Sequence, residues 1–166
     1  MSRLGPDEAA AAAARAVPIP LDRPPRVVAG PLRGRDPSGT AVERALTSVT
    51  LVVFCSTTCD GCRDLARLVA EGVDGMAVIG AMRAPAGGLP DEEVAAFTLD
   101  GGTWFIGDEA FAAVGVGAAP FFCVLDASGA VVVEGVALGR AHVEGHVAAA
   151  RAGRARPDQV RLSPGS

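Results

Sequence analysis

Two continuous apolar runs, SVTLVVF (48–54) and GMAVIGAM (75–82), bracket an amphipathic stretch, CRDLARLVAEGV (62–73). This triplet constrains the fold more than any other feature of the chain. An apolar run rich in β-branched residues, without alternation, is a strand covered on both faces. Leu65, Leu68, Val69 and Val73 recur at helical spacing, so the stretch between the runs is a helix with one buried stripe. A strand, a helix and a second strand in that order form a βαβ crossover, with the two strands parallel.

The pattern continues on both sides. RVVAGPL (26–32) reads as a short strand, and APAGGLPDEEVAAFTLDGG (84–102) as a loop with one helical turn. TWFI (103–106) reads as a strand and DEAFAAVGV (108–116) as a short helix capped by Asp108. PFFCVLDASGAVVVEGVAL (120–138) reads as a hairpin turning at Ala127-Ser128-Gly129. RAHVEGHVAAARAG (140–153) is a last amphipathic helix, with Val143 and Val147 inward and Gly153 at its end. The expected organisation is one α/β domain over residues 25–153. Residues 1–24, rich in Ala and Pro, and residues 154–166 read as loosely ordered tails.

Composition excludes several classes. The chain has 166 residues, 49% of them apolar and 20% charged, which suits one globular domain. All 15 basic residues are Arg, the net charge is −4, and no basic block stands out, so no case arises for nucleic acid. No run is long enough to span a bilayer, and MSRLGPDEAAAAAARAVPIP lacks the apolar centre of a secretory signal. The expected location is cytoplasmic, or extracytoplasmic if the true start lies upstream.

The chemistry concentrates in FCSTTCDGC (54–62), with three of the four cysteines in eight residues. Clustering of this kind favours reactive or metal chemistry over a stapling framework. Cys59 and Cys62 form a C-x-x-C where a buried strand meets a helix start, with Thr58 as the expected N-cap and Asp60 in the first turn. Free N–H groups and partial positive charge there stabilise a thiolate. Cys59 is the expected exposed sulfur and Cys62 the covered one. Such a pair attacks a disulfide with its first sulfur and resolves the mixed disulfide with its second.

TLVVFCSTTCDGCRDL (50–65) resembles the active-site segment of thioredoxin-like proteins, above all the TlpA-like thiol–disulfide oxidoreductases. VGVGAAPFFCVLDASGAVV (114–132) resembles their second signature, a proline, usually cis, ahead of a strand and a hairpin. The resemblance covers roughly residues 25–153. It implies a thioredoxin-like fold with a mixed central β-sheet flanked by helices. It implies thiol–disulfide exchange with protein or small-molecule disulfides, served by a further redox partner and by no bound cofactor or metal. Cys59 would be the nucleophile and Cys62 the resolving thiol of a redox-active disulfide. Pro120 would be the cis-proline and Ala119 a lining of the substrate groove. Five positions depart from the family pattern: Cys55 and Thr58 stand where Trp is usual, Asp60-Gly61 separates the cysteines, and Val53 occupies the place of a buried acid. A carboxylate at Asp60 opposes a thiolate at Cys59, and the loss of the buried acid removes a proton acceptor for Cys62.

Other readings of the same residues compete. The alternative from another class is a non-catalytic or copper-handling thioredoxin-fold module. In it Cys55 and Cys59, as C-x-x-x-C, resemble the copper site of Sco-like chaperones, with His142 as the loose third ligand. The C-x3-C-x2-C spacing also matches the cluster motif of radical SAM enzymes, but Gly61 replaces the usual aromatic and Cys55 belongs to a strand. A peroxiredoxin would need proline where Val52 stands. His142 and His146 share a helix face without an evident third ligand and read as solvated. Cys55 and Cys123 read as small buried hydrophobes on neighbouring strands, with a second buried disulfide as the lesser option.

Overall fold

The computed structural model describes residues 26–155, apart from residues 60, 74–75, 85–87 and 89–90. The proposed N-terminal tail, Asp60 and residues 156–166 of the proposed C-terminal tail therefore lie outside the described residues. One seven-stranded mixed sheet runs in the order β2-β1-β5-β4-β3-β6-β7. Its strands are β1 Leu32–Arg35, β2 Ala41–Arg44, β3 Thr50–Cys55, β4 Ala77–Met82, β5 Thr103–Ile106, β6 Phe121–Leu125 and β7 Val131–Val136. The described helices are α1 Cys62–Glu71, α2 Asp91–Phe97, α3 Glu109–Val114 and α4 Arg140–Ala155.

The βαβ unit is as the apolar runs require. β3 and β4 pair in parallel, Thr50 opposite Ala77 through Cys55 opposite Met82, with α1 between them in sequence. β5 adds in parallel beyond β4, while β6 and β7 form the antiparallel hairpin on the other side of β3. The hairpin turn holds because Asp126 Oδ1 accepts the N–H groups of Ser128 and Ala130, and Gly129 takes the positive φ of 87° that the turn demands.

The pleat of β3 divides the core in two. Leu51, Val53 and Cys55 point to the side covered by α1 and α4, where they meet Cys62, Leu65, Leu68, Phe122, Val143 and Val147. Val52 and Phe54 point to the other side, with Phe111, Val114 and Cys123. Leu65 and Leu68 are fully buried, and each such side chain contributes about 1.5–3 kcal/mol, which fixes α1 against the end of β3. α4 ties α1 down from outside: the Arg140 N–H donates to Asp64 Oδ2 at 3.1 Å, and its guanidinium meets Glu71 at 2.6 Å.

Several expectations are corrected. Only Val27 of the segment 26–32 before Leu32 makes a bridge, an isolated one to Ala130, and the strand proper begins at Leu32. β1 and β2 form a hairpin that went unread; Gly34 sits inside it because Phe105 Cβ lies 3.1 Å from where a Cβ would stand. The 84–102 segment holds a helix of seven residues. Asp108 occupies the N-cap of α3 without a side-chain cap bond, and its carboxylate lies 3.8 Å from Arg83. α4 runs through Gly153 to Ala155. His142 and His146 are half-buried rather than solvated: their rings meet edge to face at 4.8 Å, and both lie about 6 Å from the Phe122 ring.

Candidate active site

β3 ends at Cys55, and the chain turns over the sheet edge before re-entering as α1. Two backbone hydrogen bonds build the turn: the Cys59 N–H donates to Ser56 O at 3.3 Å, and the Cys62 N–H to Cys59 O at 3.2 Å. The N-cap is Gly61, and it supplies no side-chain hydrogen bond, so Thr58 does not cap α1. Thr58 Oγ1 instead lies 3.2 Å from Ser56 Oγ. Cys62 is thus the first residue of the helix, fully buried, and Cys59 is half-buried two residues ahead of the cap.

The three thiols meet. Cys62 lies on the same side of the sheet as Cys55, and Cys59 packs against that cluster. The thiols of Cys55 and Cys59 both donate hydrogen bonds to the Cys62 sulfur, which also takes the Ser56 N–H. These donors concentrate negative charge on one atom. The Cys55 hydrogen bond, ahead of the opposing effect of burial, lowers the Cys62 thiol to about 6. Desolvation and then the hydrogen bond given to Cys62 raise Cys59 to about 11, against smaller help from the N–H groups of Cys62 and Gly61. Cys55, donating to Cys62 and buried, stays protonated. The sequence reading puts the helix-start thiolate at Cys59; hydrogen-bond donation from Cys55 lowers Cys62 while burial raises Cys59, which favours the charge on Cys62.

Among the described residues, no carboxylate is buried in the core. Val53 is fully buried, and Thr50 is the buried polar residue among those described. Also among the described residues, no group of three or more His, Cys, Asp and Glu is arranged to hold a metal. His142, the loose copper candidate, accepts the Leu138 N–H at Nδ1.

The Ala119–Pro120 bond is cis. The register of β3 and β6 pairs Phe54 with Phe121, so Pro120, one step further, stands abreast of Cys55 at the sheet edge that carries the cysteines. Its carbonyl accepts the Ala137 N–H at 3.3 Å. On the other flank Cys59 opens into a groove of about 380 Å³ shared with Thr57, Arg63, Glu92, Glu93, Ala96 and Phe97. The wall from α2 was not foreseen, since Pro90 and the glycines around it masked the helix. Its only sequence signal was DEEVAAF itself, acids ahead of an apolar pair at i, i+3. Cys123 is fully buried in the opposite half of the core, so it and Cys55 lie on adjacent strands but do not face each other.

No protein-family model matches the chain, and a search of curated proteins finds no match either. Solved structures do match. The thioredoxin domain of a thiol-disulfide oxidoreductase from Bacteroides vulgatus aligns with a TM-score of 0.56 at 15% identity, over 76% of this chain and 96% of that one. A secreted Mycobacterium tuberculosis disulfide oxidoreductase homologous to E. coli DsbE aligns at 0.55 and 17% identity, over 70% and 94%. A thiol:disulfide interchange protein from a Bacteroides species aligns at 0.56 and 15%, over 75% and 88%. The fold is thioredoxin-like.

Proposed function

We propose that the protein is a thiol–disulfide oxidoreductase that exchanges disulfides through the Cys59–Cys62 dithiol. One observation carries the reading: an accessible sulfur just ahead of α1 and a buried, readily ionised one at the first residue of α1 stand together beside the Ala119–Pro120 edge. At neutral pH the pair has already lost one proton. Passing the proton of Cys59 to the Cys62 sulfur puts the charge on the reachable atom, where the N–H groups of Gly61 and Cys62 receive it. The Cys59 thiolate attacks a substrate disulfide, forms a mixed disulfide and expels one substrate thiolate, which takes the proton from Cys62. The Cys62 thiolate then attacks Cys59 Sγ and releases the second substrate sulfur as a thiolate, which solvent protonates. The substrate is reduced by two electrons, and the dithiol becomes a disulfide that a further dithiol partner resets. The reverse sequence oxidises a substrate.

Ala119 and Pro120 border the substrate in this reading, and the Arg63, Glu92 and Glu93 groove takes the chain flanking its disulfide. The catalytic unit is the domain of residues 25–153. The test is turnover: reduced protein should reduce a protein disulfide with stoichiometric formation of Cys59–Cys62, and Cys59→Ser should be inactive. Unchanged turnover in Cys59→Ser would refute the assignment.

A further inference from the structure

The dithiol reaction leaves Cys55 without a role, yet its sulfur is a direct partner of Cys62. The pleat of β3 turns Leu51, Val53 and Cys55 to the α1 side, so Cys55 lies beneath the first residue of the helix. Cys55 and Cys62 belong to one buried cluster and Cys59 packs against it, so both other sulfurs neighbour Cys62. Cys55 and Cys62 are both fully buried, while Cys59 faces the groove. Cys123 belongs to the other half of the core and takes no part.

We propose that Cys55 is a third redox thiol, which in the oxidised protein attacks Cys62 Sγ, forms a buried Cys55–Cys62 disulfide and returns Cys59 to a thiol. This rests on the dithiol reading, because Cys59–Cys62 is its starting disulfide. The step is an internal exchange and needs no oxidant. The Cys55–Cys62 bond forms as the Cys59–Cys62 bond breaks, the electron pair leaves on Cys59 Sγ, and the Cys55 proton ends on that sulfur. Cys59 is the better leaving group of the two, since it alone opens to the groove and faces helix N–H donors. The consequence is an oxidised protein that keeps an accessible nucleophile. Such a species can open a second, mispaired substrate disulfide without first being reduced, so the substrate class extends to disulfides that need rearrangement.

Alkylation of the oxidised chain tests this. The starting material is the full chain whose intact mass shows two hydrogens lost. Prolonged native treatment with iodoacetamide should add one label while the two hydrogens stay missing, because capping Cys59 drains the exchange towards Cys55–Cys62. Trypsin leaves Cys55, Cys59 and Cys62 together on residues 45–63 and Cys123 on residues 84–140, and fragmentation of the first peptide should place the label on Cys59. Oxidised Cys55→Ala should take no label at Cys59. An oxidised wild type that takes none, or a Cys55→Ala variant that takes it equally, would overturn the role of Cys55 and leave the dithiol reading intact. A chain that loses no hydrogens on oxidation would overturn the dithiol reading, and this inference with it.

Discussion

The pH dependence of Cys59 alkylation in the reduced protein should have a shape that no isolated thiol gives. With Cys62 lowered to about 6 and Cys59 raised to about 11, the pair should lose its first proton chiefly from Cys62 and its second chiefly from Cys59. Between them the pair carries one charge, and a fixed small share of that charge sits on Cys59 through proton transfer between the sulfurs. The Cys59 rate therefore follows the singly charged pair. That population rises about tenfold from pH 5 to pH 7, from roughly one tenth to nine tenths, and then levels until the second ionisation begins. Cys62→Ala removes the partner that holds the charge. Cys59 then titrates alone, with its thiolate fraction growing tenfold per pH unit, about a hundredfold from pH 5 to pH 7 and without a plateau. Removing a charged neighbour also relieves the repulsion on Cys59, so the variant should overtake the wild type at alkaline pH. The assay is the second-order rate with a neutral alkylating agent, read on the 45–63 peptide. A wild-type profile that climbs a hundredfold through pH 7 with no plateau would refute the placement of the charge on Cys62. So would a plateau that survives in Cys62→Ala.

Three further outcomes are expected. Cys62→Ser should accumulate mixed disulfides through Cys59, detected as mass adducts or on non-reducing gels, whereas Cys59→Ser should trap little. Gly80→Ala should cost about 1–3 kcal/mol in denaturant unfolding, because its Cβ would stand 2.5 Å from the Trp104 ring directly across the β4–β5 pair. The reduced fold should gain stability as pH rises from about 6 to 9. Cys62 is depressed from 9.0 to about 6, so its contribution is present above 9 and is lost as pH falls through 6. Cys62→Ser should flatten that part of a Tm-against-pH curve.

The parts of the fold that sequence made legible are those where burial on both faces leaves an unbroken apolar run. β3, β4 and β6 are of this kind, and α1 and α4 announce themselves through stripes that include Leu65, Leu68 and Val69 in α1 and Val143 and Val147 in α4. The β1–β2 hairpin was not legible because both strands are short and carry charged residues outward, and β1 contains Gly34. The same applies to the cysteines. Position at a helix start identified the Cys59–Cys62 pair. The ionisation order within the pair depends on which sulfur has more donors, and that is a tertiary property. One signal was available and passed over. In a strand of period two, Leu51, Val53 and Cys55 must share a face, and α1 must cover it. That pleat argument alone brings Cys55 under Cys62 and separates it from Cys123, which faces Val52 across the β3–β6 pair.

Two roles of Cys55 can be separated by one atom. As a donor, its S–H helps hold the Cys62 thiolate in a core side that Val53 leaves without a carboxylate. A thiol suits that task, because it gives a hydrogen bond without carrying a second charge into the apolar interior, where an unpaired carboxylate is costly. As a redox group, Cys55 needs its sulfur. Cys55→Ser keeps a donor of similar size and removes the disulfide chemistry, while Cys55→Ala removes both. The low-pH step in the Cys59 alkylation profile should therefore stay near the wild-type position in Cys55→Ser and move upward, towards the ordinary thiol range, in Cys55→Ala. Labelling of Cys59 in the oxidised protein should vanish in both. Equal upward movement in the two variants would show that packing, not donation, sets the ionisation of Cys62. Retained labelling in oxidised Cys55→Ser would show that the freed Cys59 does not come from a Cys55–Cys62 disulfide.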